Sequence, residues 1–196
     1  ELEAIGNIAR SKFGDRLRGI KGIDVRPIGR LDPERSLSEL KILHQGISKK
    51  IIFKTKFSSQ YNAKLNDGKR GTLNHRDSNW QGYHGVDFDA TIDLGVKTKV
   101  SKISSSFLQN QSAWIFFPNE VDFQISKDGI NFISVEKFKE KTVMDPAYKV
   151  KDFVHKFSKR EIRFVKVKAK NIGLCPEWHP GAGNRGWLFV DEIVIN

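Results

Sequence analysis

Apolar residues recur at every second position in several short stretches of this chain, the spacing that sends successive side chains to opposite faces of a β-sheet. Phe88, Ala90, Ile92 and Leu94 alternate with Asp89, Thr91 and Asp93. Val121, Phe123 and Ile125 alternate with Asp122 and Gln124, and Val165, Val167 and Ala169 with Lys166, Lys168 and Lys170. Each stretch reads as a strand with one face in a core and the other toward water. Between VDFQIS and NFISV lies Lys127-Asp128-Gly129, where Asp-Gly supplies the positive φ angles of a tight hairpin turn. Loops of Gly, Asn, Ser and Pro separate the strands, and few stretches carry a helical period. The pattern predicts an all-β sandwich or barrel.

The beginning of the chain departs from this pattern. Leu2, Ile5, Ile8, Ala9 and Phe13 fall at helical spacing, GIDVRPIGRLDP follows as a basic stretch punctuated by Gly and Pro, and 36–43 reads as a short helix. Residues 1–48 are expected to form a mixed segment, a linker or the trailing edge of a preceding domain, with the sandwich occupying 49–196. The opening ELEAIGNIARSKFG has neither an initiating Met nor the succession of a secretory signal, and reads as a start inside a longer polypeptide.

A length of 196 residues allows one core to stand without staples. No apolar run approaches the ~18 residues of a membrane helix, so membrane insertion is not expected. Cys175 is the only cysteine, which excludes an internal disulfide and a cysteine-built zinc cage and leaves it as an inert small residue. The net charge is +11, and 137–170 alone holds twelve Lys and Arg against four Asp and Glu. Such a stretch either attracts an anionic polymer or lines the wet face of strands, and the second reading is favoured.

The segments KLNDGKRGT, NWQGYHGVDFDATIDLG, ISKDGINF, RFVKVKAKNIG and WLFVDEIVI, in this order and spacing, resemble the coagulation-factor type C, or discoidin, family. The resemblance runs from near residue 49 to residue 196 and implies a jelly-roll β-sandwich of the galactose-binding-like type. SSQYNAKLNDGKRGT, FLQNQSAWIFFP and CPEWHPGAGNRGW are similar to the tails of family 20 β-N-acetylhexosaminidases of Bacteroidetes. That similarity implies a module of a secreted bacterial glycoside hydrolase, in an extracellular, periplasmic or outer-surface location. It does not carry the catalytic acids of those enzymes, which belong to a barrel outside this sequence. Animal members of the wider family clip the sandwich with a disulfide, which one cysteine cannot form.

Catalytic chemistry finds little support, since no nucleophile elbow, HExxH helix or P-loop is present. Glycoside cleavage needs two carboxylates flanking one bond, and the spacing of Glu120, Asp122, Glu177 and Asp191 singles out no pair. Calcium is the one cofactor expected, because the resemblance places a structural ion between the LNDGKRGT turn and a C-terminal glutamate, implicating Asp67, Thr72 and Glu192. The same turn reads equally as an ordinary Asp-Gly turn in which Lys69 and Arg70 supply the positive charge.

Sugar recognition needs a flat aromatic face together with forked or planar hydrogen-bonding groups. Two loops hold both. NHRDSNWQGYHG offers Arg76, Tyr83 and His84, and CPEWHPGAGNRGW offers Glu177, Trp178, His179 and Arg185. Trp114, where a strand meets a loop, is a further candidate, whereas Trp80 and Trp187 read as core. Trp178 is the indole expected to be most open to a ligand. The leading expectation is a non-catalytic module that binds an N-acetylated or galactose-like glycan and sits beside a catalytic domain. Alternatives are an appendage packing on its own enzyme through Phe116 and Phe117 without binding sugar, and an anionic-polymer binder in which Phe138, Tyr148, Phe153 and Phe157 stack on nucleic acid.

Overall fold

The computed structural model describes residues 42–58 and 63–196. Seven strands run antiparallel: β1 (Lys50–Phe53), β2 (Gln81–His84), β3 (Phe88–Gln109), β4 (Glu120–Ser126), β5 (Ile133–Lys139), β6 (Lys149–Lys170) and β7 (Trp187–Ile195). They pair in the order β2-β7-β3-β6-β4-β5, with β1 added on β3. The chain is an all-β sandwich, as its alternation predicts, and of the jelly-roll type that the resemblance implies.

Two 22-residue strands, β3 and β6, make this architecture possible. They pair with each other from Phe88↔Ala169 to Gln109↔Lys149, and the register slips between Asp93 and Thr98. Bulges of this kind bend a strand. On one side of the slip β3 pairs with β1 and β6 with β4; on the other, β3 pairs with β7. One bent ribbon thus contributes to both layers.

The core fills the space between them. Phe88, Ala90, Ile92, Val121, Phe123, Ile125, Val165, Val167 and Ala169 all lie in one buried cluster with Ile103, Phe107, Phe153 and the inner residues of β7. Edge-to-face rings cross from layer to layer in the sequence Phe123, Phe138, Phe153, Phe107, with centroids 5.4–5.8 Å apart. This is the favoured aromatic geometry. A smaller cluster of Trp80, Leu108, Ile115 and Phe189 packs beneath the loops. Cys175 is buried, and burial pushes its thiol pKa up.

The β4–β5 connection is a hairpin, as expected, but its turn is longer than the two-residue type. Gly129 has φ +79° while Asp128 stays out of the left-handed region, and the strands resume pairing at Ile125↔Ile133. Asp128 acts by its carboxylate instead: Oδ1 accepts from the Ile130 and Asn131 amides and the Ser126 hydroxyl, and Oδ2 from Asn131 Nδ2. The Asn131 and Ile130 amides and the Asn131 and Ser126 side chains hold its pKa well below the usual carboxylate range. A depressed folded-state pKa stabilises above the unfolded value and is lost as pH falls through the folded one. The turn is therefore expected to loosen only well below the ordinary aspartate value of 3.8, and Asp128→Ala to loosen it at neutral pH, seen as faster amide exchange at Ile130 and Asn131. Unchanged exchange in the variant would refute this role.

The expected boundary near Lys49 falls among ordered contacts. Ile42 N donates to Gly68 O, Ser48 N to Asn66 O and Gln45 N to Ile195 O, so 42–48 is hydrogen-bonded to the sandwich. The helical expectations for 2–13 and 36–41 lie outside the described residues. No helix among the described residues is long and apolar enough to cross a membrane.

The basic stretch 137–170 is distributed along strands whose neighbours carry acids. Lys168 lies across from Asp89 and Asp122, and Lys170 across from Glu120. Lys149 pairs with Asp145, Lys151 with Glu140 and Arg163 with Asp93. Phe153 is core, and Phe138 and Phe157 pack against it, leaving Tyr148 as the one exposed ring of the four proposed to stack on nucleic acid.

Candidate functional site

Four loops meet at one end of the sandwich, and Gln111 ties three of them together. Its Nε2 donates to Val143 O at 2.8 Å, its Oε1 accepts from Asp145 N at 2.9 Å, and its carbonyl accepts from His179 Nε2 at 2.8 Å. The β3–β4 loop (110–119), the β5–β6 loop (140–148) and the β6–β7 loop (171–186) are joined through this one buried residue, by its side-chain amide and its backbone carbonyl. The loop ahead of β2 joins them where His75 meets Asn110 at 3.4 Å. A loop needs such ties to hold side chains in place without a strand beneath them.

Three of the four tryptophans stand half-buried at this end: Trp114, Trp178 and Trp187. Trp114 takes a left-handed backbone, φ 62°, and its ring lies against Gly181. Trp178 meets Phe116 and His179 edge to face. Trp187, expected in the core, is half-buried: it packs against the smaller cluster and Phe189 and also stacks on His84 with centroids 4.5 Å apart, because its position opens β7 at the sheet's end. His84 Nε2 donates to Arg185 O at 3.1 Å. Glu177, Asn184, Arg185 and Arg76 are exposed.

Two candidates are corrected. Tyr83 is fully buried and its hydroxyl donates to Gln81 Oε1 at 2.7 Å; burial raises its pKa above the ordinary range. It is a core residue because β2 is covered on both faces. His179 is buried as well, with Nδ1 accepting from Gly181 N and Nε2 donating to Gln111 O. Both ring nitrogens are spent holding loops together, which leaves no group for a ligand. Phe116, expected to be exposed on an interdomain patch, is 1% exposed.

Sequence reasoning passed over a cleft of ≈ 550 Å³ beside this platform, lined among others by Leu73, Gln109, Phe117, Thr142, Tyr148 and Val150. Tyr148 is 54% exposed, with its hydroxyl 3.1 Å from Ser112 Oγ. The signal available was KTVMDPAY, a segment without alternation between two clear strands.

The four acids considered for catalysis have separate surroundings. Glu120 pairs with Lys137, Asp122 bonds Gln124 and Ser134, Glu177 is exposed, and Asp191 is buried.

At the other proposed centre, a bulge decides the geometry. Asp191 and Glu192 together face Ser106, since Phe107 pairs with Val190 and Ser105 with Ile193. Both carboxylates reach the 66–72 turn rather than opposite faces. Glu192 accepts from Gly68 N (2.8 Å) and Asp67 N (3.3 Å), and from His44 Nε2 (2.7 Å). His44 Nδ1 accepts from Gly46 N and Ile195 N, so Nε2 carries the proton. Asp191 accepts from Gly71 N at 3.0 Å, from Ser106 Oγ and from Glu192 N. Burial pushes the Asp191 carboxyl up to about 7 against the pull of Arg70.

Each calcium ligand named from the resemblance has at least one hydrogen-bond partner within the chain. Glu192 faces N–H donors, Asp67 Oδ1 accepts from Lys69 N, and Thr72 Oγ1 accepts from Asn74 N. Among the described residues no group of three or more His, Cys, Asp or Glu could hold a metal ion. A hard cation needs oxygens with free lone pairs, and this donor set does not fit one.

Antiparallel layers closed on one core, with loops gathered at one end, define a jelly-roll sandwich whose candidate site is loop-borne. The chain belongs to the F5/8 type C domain family, whose model matches residues 54–191. A comparison with curated proteins finds no match. Among solved structures it resembles CpGH89CBM32-4 of Clostridium perfringens, in complex with GlcNAc-α-1,4-galactose, at 14% identity and TM-score 0.50, over 79% of this chain and 94% of that one. CpGH89CBM32-5 of the same organism, in complex with GalNAc-β-1,3-galactose, matches at 19% identity and TM-score 0.46, over 77% and 96%. Chitosan-binding module 1 of a Paenibacillus sp. IK-5 chitosanase/glucanase matches at 14% and 0.48, over 78% and 98%.

Proposed function

We propose that this domain is a non-catalytic carbohydrate-binding module that holds a glycoside hydrolase of the β-hexosaminidase kind on its glycan, in an extracellular, periplasmic or outer-surface location of a bacterium. The observation that carries the reading is the half-exposed trio of Trp114 and Trp178, on loops locked by Gln111 and His179, and Trp187 at the start of β7 beside them. Rings held this way offer flat apolar faces without losing freedom on binding. Exposed Arg76, Arg185, Asn184 and Glu177 supply charged and forked partners for hydroxyls and N-acetyl groups.

The test is retention of the protein on insoluble glycans bearing N-acetylated or galactose-like residues, at moderate and high salt. Trp178→Ala is expected to weaken retention about tenfold, as loss of a stacking contact worth about 1.4 kcal/mol would, with an unchanged far-ultraviolet spectrum. Equal retention of the variant would remove Trp178 from the site, and binding confined to low salt would show an electrostatic contact in its place.

A further inference from the structure

The bulged end of β7 and the turn at 66–72 form the joint between which the family resemblance puts calcium, yet all four carboxylate oxygens of Asp191 and Glu192 already face donors. Asp191 Oδ1 takes the Ser106 hydroxyl and the Glu192 amide, and Oδ2 takes Gly71 N. Glu192 Oε1 takes Gly68 N and His44 Nε2, and Oε2 takes Asp67 N. Several carbonyls in and beside the turn are occupied too: Leu65 O accepts from Ile193 N, Asn66 O from Ser48 N and Gly68 O from Ile42 N. Arg70 O accepts from Asn79 Nδ2, and Thr72 O from Trp80 Nε1.

The positive charge at this joint is part of the chain. Arg70 Nη1 donates to Ser106 Oγ at 2.7 Å and to Asp152 Oδ1. Burial works against its charge, and the Asp191 and Asp152 carboxylates outweigh that and leave the guanidinium more firmly protonated than usual. Ser106 and Asp152 are register partners on β3 and β6, and Ser106 also donates to Asp191 on β7. One side chain from the turn therefore bridges β3 and β6 and is linked to β7 through the Ser106 hydroxyl.

We propose that the domain closes this joint with Arg70 and its own N–H donors in place of a metal ion, and is calcium-independent. A guanidinium delivers its charge through directed N–H bonds, and backbone amides aimed at carboxylates do what an anion-binding nest does. Both arrangements suit acceptors facing donors, whereas a cation cage gathers acceptors around a centre.

The experiment uses the purified chain. Elemental analysis is expected to find no stoichiometric calcium, and the unfolding temperature is expected to stay the same with excess chelator and with millimolar calcium chloride. Arg70→Met is expected to lower that temperature by about 10 °C, the size that follows from leaving a buried partner uncompensated in a domain of this length. Lys69→Met, which removes the same charge from an exposed neighbour, is expected to leave it within about 2 °C, as surface substitutions do. Bound calcium near one per chain, or a chelator-induced drop, overturns the proposal. So does an Arg70→Met shift no larger than that of Lys69→Met. The wild-type measurements decide the matter even if Arg70→Met does not fold.

Discussion

Gly71→Ala is expected to destabilise the domain by about 3 kcal/mol, the upper part of the range for forcing atoms into a packed site. A Cβ at residue 71 would lie 2.5 Å from Trp80 Nε1 and nearer still to Cε2. The indole cannot move aside, because it is fully buried against Leu108, Ile115 and Phe189 and its Nε1 donates to Thr72 O at 2.8 Å. Gly71 N is also the donor to Asp191, so shifting the backbone instead would leave a buried carboxyl oxygen without its partner. Urea unfolding followed by tryptophan fluorescence measures the change. A midpoint equal to wild type would show that the loop around Trp80 is looser than these contacts require.

Phe107→Ala is expected to cost more, about 3–5 kcal/mol, from lost transfer energy and the cavity left behind. Phe107 has no exposed surface and meets Phe153 edge to face at 5.6 Å. It is the last ring in the series that crosses from β4 and β5 into the second layer, so its removal takes away contact on both sides of the core. Phe153→Ala is expected to cost a similar amount. The double variant should fall short of the sum, since neighbours in contact are not additive. Full additivity in denaturant unfolding would show that the two rings act independently.

The strands were legible because each has one dry and one wet face. Phe88, Ala90 and Ile92 alternate with the polar Asp89, Thr91 and Asp93, and the same period marks 121–125 and 165–169, although Asp89 and Asp122 are themselves buried. β2 escaped this reading because it is buried from Gln81 to Tyr83, and a strand covered on both faces loses its period. Tyr83 therefore looked like a loop residue open to ligand. Asp-Gly announced the β4–β5 hairpin correctly, yet not that Asp128 would cap the turn rather than form its left-handed position. In the loops, residue type narrows chemistry without giving direction. Trp178 and His179 are neighbours in sequence, and one stays half-exposed while the other is consumed by Gln111 O and Gly181 N. The acids at 191 and 192 were visible as acids, but a bulge that turns both toward one joint depends on the register of β3 against β7, which no local spacing encodes.

Strand β7 has Trp187 at one end and Ile195 at the other, roughly 26 Å apart at about 3.3 Å per residue. The chain arriving through Gln45 hydrogen-bonds to Ile195 at 2.8 Å, so entry and exit lie side by side, far from the tryptophans. Anything joined to either flank would sit behind a spacer the length of β7, with the candidate site at its far end. Such a spacer supplies reach that a flexible tether would otherwise have to provide, and a shorter tether means a higher effective concentration of whatever it carries at the surface where that site lands.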